Sequence, residues 1–126
     1  DVNEVNMDSQ NGLLAAADDS GEVLVYDLKA KKLLRRLQQC HSNICATSCF
    51  RVGQRWQLVS GGLDGKVVHW NFNKIRALHS FPVAQAPAQQ GQMVNPRYPY
   101  CLAPHRNGEH IAVGLGDGSV SVLDLS

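Results

Sequence analysis

The stretch Val59-Ser-Gly-Gly-Leu-Asp64-Gly65-Lys-Val-Val-His-Trp70-Asn71-Phe72 decides the fold. Small residues lead into a polar-Gly turn. A strand of alternating apolar positions follows and ends on a bulky residue, an Asn and an apolar residue. A period of two marks a half-buried strand, and Asp-Gly is a tight-turn dipeptide because Gly accepts the backbone angles the reversal needs. The same order recurs before it in Ala15-Ala-Ala-Asp-Asp-Ser20-Gly21-Glu-Val-Leu-Val-Tyr26-Asp27-Leu28. It recurs after it in Ala112-Val-Gly-Leu-Gly-Asp117-Gly118-Ser-Val-Ser-Val-Leu123-Asp124-Leu125.

The turn glycines set the period. Gly21 and Gly65 are 44 residues apart, and Gly65 and Gly118 are 53 apart. A repeat of roughly 40–45 residues built from four strands is the spacing of a β-propeller blade. The longer second interval calls for an insert, and an Ala/Gln/Pro-rich stretch without strand or helix periodicity supplies it. The expected organisation is a partial propeller over 1–126, with repeats at 1–39, 40–82 and 98–126 and an inserted flexible loop at 83–97. Alternation places strands at 13–17, 22–27 and 33–38, then 44–50, 57–61, 66–72 and 76–81, then 100–103, 110–113 and 119–125. The opening strand of the first repeat is poorly marked in Val2–Asp8, and the last repeat ends before a fourth strand. The fold class is all-β: about three four-stranded antiparallel blades.

Composition narrows the function classes. The 126 residues suffice for one domain, and twelve Lys+Arg against eleven Asp+Glu leave a net charge of +1. Whole-molecule charge therefore names no partner, and nucleic acid is not expected. No apolar run approaches the ~20 residues of a membrane helix, so no membrane role is expected. The chain opens on Asp1 with no charged-then-apolar leader, so it reads as an excerpt or mature segment. Cys40, Cys45 and Cys49 cluster with His41, which raises a zinc site. In one unbroken strand Cys45 and Cys49 would share a face ~13 Å apart. Thiolates on one zinc must lie within ~4 Å of each other, so no metal is expected. Buried reduced thiols instead point to an intracellular protein of the nucleus or cytoplasm.

In this register the sequence resembles the WD-repeat family of β-propellers. Cys40-His41 stands at the family's Gly-His position, and Tyr26-Asp27, Trp70-Asn71 and Leu123-Asp124 stand at its Trp-Asp positions. The resemblance implies a hydrogen-bonded structural network of His41, Ser60, Asp64 and Trp70, with Ser20 replacing the turn Asp in the first repeat. It also implies a ring of about seven blades, which three repeats cannot close. An open arc exposes sheet faces and edges, so continuation of the chain or self-association is expected.

His41, Ser60 and Asp64 could be misread as a catalytic set, but Trp70 belongs to the same register and no oxyanion-hole turn accompanies Ser60. Gly114-Leu-Gly116-Asp-Gly118 lacks the third Gly and the helix of a dinucleotide site. No catalytic residues and no cofactor are assigned, and the expected role is a non-catalytic protein-interaction scaffold. Some WD-repeat proteins serve as substrate receptors by docking on the β-propeller adaptor of a cullin–RING ubiquitin ligase through a repeat ending Trp-Asp-X-Arg. Tyr26, Asp27 and Lys29 match that ending in form, with Tyr for Trp and Lys for Arg. The alternatives are a scaffold with no ligase link, or a reader of phosphopeptide or nucleic acid through Lys31, Lys32, Arg35 and Arg36. Tyr98 and Tyr100, beside Arg97 and Pro99, are further interface candidates.

Overall fold

The computed structural model describes residues 1–83 and 98–126, and every regular element among them is a strand. The chain runs β1 (Val2–Asp8), β2 (Leu13–Asp18), β3 (Val23–Asp27), β4 (Lys32–Leu37), β5 (Cys45–Phe50), β6 (Gln57–Gly62), β7 (Lys66–Asn71), β8 (Arg76–Pro82), β9 (Pro99–Pro104), β10 (His110–Leu115) and β11 (Val120–Asp124). Consecutive strands pair antiparallel into sheets β1-β2-β3-β4, β5-β6-β7-β8 and β9-β10-β11. These are propeller blades, and the third shows three strands among the described residues. The insert expected over 83–97 falls outside the described residues except for Val83. That residue is buried, and its N–H donates to Gly65 O at 2.9 Å, so strand β8 is anchored one residue further than expected.

Two cores glue the sheets face to face. Ala15, Val23, Val25 and Leu37 of the first sheet meet Cys45, Leu58, Val68 and Trp70 of the second. On the other face of the second sheet, Cys49, Val59 and Val67 meet Leu102, Ile111 and Val113 of the third. Strands β5, β6 and β7 of the second sheet are therefore buried on both faces, whereas β8 is exposed at its outer edge.

β1, the strand the sequence marks worst, is held by polar ties that alternation cannot reveal. Asn3 Nδ2 donates to Cys45 O at 2.9 Å and Asn6 Nδ2 to Ser48 O at 2.8 Å, while the Thr47 hydroxyl donates to Glu4 at 2.7 Å. The outer faces of the arc stay apolar: Met7 is 68% exposed on the first sheet and Val120 69% on the third.

Cys45 and Cys49 do not share a face. A register shift between Cys45 and Thr47 adds one residue to β5, turning Cys45 into the first core and Cys49 into the second.

Candidate functional site

The loop from β4 to β5 lays His41 over the second blade. A carboxylate only accepts, so Nδ1–H of His41 donates to Asp64 at 2.9 Å and Nε2 accepts from the Ser60 hydroxyl at 2.8 Å. Asp64 also accepts from the N–H groups of Ser42 and Lys66, each at 3.2 Å. Burial pushes the imidazole below its ordinary pKa against the pull of Asp64, so it is neutral at pH 7.

Trp70 is not the fourth member. The register sets it opposite Leu58, one pleat repeat from Ser60, and its ring packs in the apolar core. Its indole N–H has no hydrogen-bond partner among the described residues.

The Ser60–His41–Asp64 geometry is that of a nucleophilic triad, but Ser60 is wholly buried and no substrate could reach its hydroxyl. Its work here is to fill the acceptor position of His41. Ser60→Ala is expected to cost about 1–2 kcal/mol, because Nε2 is left buried and unpaired. A shift of the urea midpoint at unchanged m value checks this.

The Asp or Asn closing each repeat has a common task. Asp27 Oδ1 accepts from Ala30 N at 3.0 Å, Asn71 Oδ1 from Lys74 N at 3.0 Å, and Asp124 Oδ1 from Ser126 N at 2.9 Å. Each carboxyl or amide pins the turn that leaves the third strand of its blade. This short polar side chain mimics a backbone acceptor, as in Asx turns. In the first blade the pinned turn presents Lys29 exposed and free of any ion pair among the described residues, with Tyr26 half-buried behind it.

The basic hairpin is not one patch. Arg36 pairs with Glu22 at 2.9 Å on one face of the first sheet. Arg35, on the other face, donates to Leu34 O and across to Asn73 Oδ1 of the second blade at 3.0 Å. Adjacent strand residues point to opposite faces, so Arg35 and Arg36 are spent separately and leave Lys31 and Lys32 exposed.

The cysteines divide likewise. Cys40, Cys45 and Cys49 are buried free thiols, and burial pushes Cys40 and Cys49 up to about 12 and Cys45 higher still. All three stay protonated at neutral pH and are poor nucleophiles. Among the described residues no cluster with metal-ligand composition forms. Of the loop aromatics, Tyr100 is exposed, Tyr98 half-buried and Pro99 buried, while Arg97 lies outside the described residues.

Three sheets of this order, with a pinned turn closing each third strand, match a known pattern. The family described as WD domain, G-beta repeat matches residues 31–71. Residues 31–71 thus match one WD40 repeat, and the sheets on either side repeat its strand order. The chain is 29% identical over its whole length to the WD repeat-containing protein 53 homolog of Dictyostelium discoideum, of which it spans 38%. It is 40% identical over 56% of its length to Protein SLOW WALKER 1 of Arabidopsis thaliana, spanning 13% of that protein. To Gem-associated protein 5 of Homo sapiens it is 27% identical over 93% of its length, spanning 7%. The chain thus covers well under half of each of these relatives. WD40 repeats of this kind are protein-interaction scaffolds.

Sequence reasoning missed two groups. His69 is buried in the second blade, its Nε2–H donating to Gln57 Oε1 at 2.8 Å and its ring stacked on His79 at 5.6 Å. Arg51 and Arg55 share the turn between β5 and β6, Arg106 lies in the turn between β9 and β10, and none carries a local motif. Only counting which turns fall at the same end of the blades would have grouped them.

Proposed function

We propose that this scaffold is part of a substrate receptor of a cullin–RING ubiquitin ligase and docks on the ligase's β-propeller adaptor through the first repeat. The observation that carries this reading is the turn after β3, where Asp27 pins the backbone and Lys29 is exposed, with no ion pair among the described residues. The reading places the protein inside the cell, where four free thiols are expected to persist. It assigns self-association to the two uncovered sheet faces when no further blades cover them. The split of Arg35 from Arg36 counts against the hairpin as a reader of anionic ligands.

The test is capture of the adaptor by the protein. Lys29→Glu is expected to reduce capture about tenfold or more, since it replaces attraction with repulsion at a contact. Lys29→Arg is expected to strengthen capture, because guanidinium makes the planar two-pronged contact an ammonium cannot. Asp27→Ala should weaken it by loosening the turn. Lack of capture by the unmodified protein overturns the reading.

A further inference from the structure

Net charge of +1 hides a strong polarity along the blades. Each strand reverses the last, so the turns following β1, β3, β5, β7 and β9 all lie at one end. Arg51 Nε confirms the alignment between blades by donating to Gly108 O of the β9–β10 turn. Leu28 N to Gly12 O at 2.9 Å and Phe72 N to Trp56 O at 2.8 Å join neighbouring turns within blades. This end gathers Lys29, Lys31, Arg51, Arg55, Lys74 and Arg106, and none of them forms an ion pair among the described residues. Three carboxylates here accept from backbone N–H groups of their own turns, Asp8 from Gln10 N and Asn11 N, Asp27 from Ala30 N, and the exposed Asp124 from Ser126 N, and Glu109 projects beside them, so the cations outnumber the carboxylates at this end among the described residues. The opposite end carries Asp18, Asp19, Glu22, Asp64 and Asp117 against Arg36, which pairs with Glu22, and Lys66.

A cavity of about 480 Å³ opens at the basic end, between the turns that follow β1 and β5 and against the end of β9. Met7, Phe50 and Leu102 give it apolar lining, Arg51 and Arg55 line it beside them, and Asp8, which also lines it, has its carboxylate engaged by Gln10 N and Asn11 N. Arg51 is braced, with Nη1 donating to Gln57 Oε1 at 2.8 Å, and Arg55 lies over the Trp56 ring at 4.9 Å. The cations beside the cavity are thus held in place before any partner arrives, which lowers the ordering cost of binding.

We propose that this end of the arc docks an acidic peptide segment that carries an apolar anchor, the anchor entering the cavity and the carboxylates meeting the surrounding arginines and lysines. Charge complementarity selects an anionic partner, and the apolar lining selects a peptide over a nucleic acid. Single-stranded nucleic acid binds on exposed aromatic platforms. Among the described residues Tyr100 is the exposed aromatic, and it lies at the opposite end, at the start of β9. Trp56 is occupied by Arg55 on one side and by the Phe72 ring at 5.5 Å. The proposal stands independently of the ligase reading, since it needs neither Tyr26 nor the adaptor.

The experiment is a fluorescence-anisotropy titration with three labelled probes: a twelve-residue peptide of Asp and Glu with two central leucines, its Asn/Gln counterpart, and a twelve-nucleotide oligothymidine. The acidic peptide is expected to bind the protein at least about tenfold more tightly than either of the others. Its affinity is expected to fall several-fold when the leucines become serines, and again when salt is raised to about 0.2 M. Arg55→Glu with Arg106→Glu should reduce binding about tenfold or more, whereas Lys66→Glu at the other end should leave it unchanged. Circular dichroism confirms that the variants are folded. Each variant is also tested for adaptor capture, so that failure here is separable from failure of the ligase reading. Equal binding of the neutral peptide, tighter binding of oligothymidine, or indifference to the double charge reversal each overturns the proposal.

Discussion

Gly21→Ala is expected to destabilise the fold by about 4 kcal/mol, whereas Gly118→Ala, at the matching turn of the third repeat, is expected to cost only about 1 kcal/mol. Both glycines are left-handed, with φ of 83° and 87°, so any side chain meets the same backbone strain at each. Their surroundings differ. A Cβ on Gly21 would overlap His41 O and lie 2.7 Å from Asn43 O, backbone atoms of the loop that carries His41 into the second blade. A Cβ on Gly118 meets nothing within 4 Å. The Gly21 carbonyl also accepts from His41 N at 3.1 Å, so relieving the overlap pulls that bond apart and moves the imidazole away from Ser60 and Asp64. The contrast separates strain from collision, because strain is common to both. Urea unfolding of the two variants reads it directly. Equal losses would mean that the loop over Gly21 yields without cost.

The fold was legible because its signals are local. Polar-Gly turns, alternating strands and the Asp or Asn after each third strand recur in one register, and each recurrence strengthens the next. Boundaries fell within a residue or two, with one informative failure. The alternation of β5 predicts an unbroken strand, and the bulge after Cys45 reverses every face assignment that crosses it. Nothing in Cys-Ala-Thr announces a bulge, since the extra residue is set by pairing with β6. β1 was hard to read for the opposite reason. Its alternation is polar-in, with Glu4 and Asn6 facing the second blade, so an apolar pattern search finds little there. The network of His41, Ser60 and Asp64 followed from the family resemblance, yet the place of Trp70 depends on packing around Phe50 and Phe72 that no spacing encodes. The basic end is hidden in the sequence for a topological reason: Arg106 joins Arg51 and Arg55 only once alternate turns are known to share an end.

Acid is expected to weaken this protein before its carboxylates titrate, and His69 is the main cause. Burial lowers its pKa to about 4, with the positive charge of Arg51 and the neighbouring His79 acting in the same direction. Gln57 Oε1 already accepts from both His69 Nε2 and Arg51, and His69 Nδ1 has no partner among the described residues. A proton added to Nδ1 would create a buried cation facing another cation with no acceptor to receive it. In the unfolded chain the same imidazole titrates near its ordinary value of about 6.5. The folded pKa is thus the lower one, so the unfolded state takes up the proton first. The contribution of His69 is complete above about pH 6.5 and is lost as pH falls towards 4. Between pH 7 and pH 5 the loss amounts to about 2 kcal/mol. His41, shifted in the same direction, adds to the slope without sharing partners with His69. His69→Gln has nothing to titrate and is expected to be less stable at pH 7 but to lose about 2 kcal/mol less on acidification over that range. Urea midpoints of both proteins at pH 7, 6 and 5 decide the matter. Parallel lines would place the acid sensitivity elsewhere, whereas lines that converge towards pH 5 assign it to the buried imidazole whose second nitrogen has no partner among the described residues.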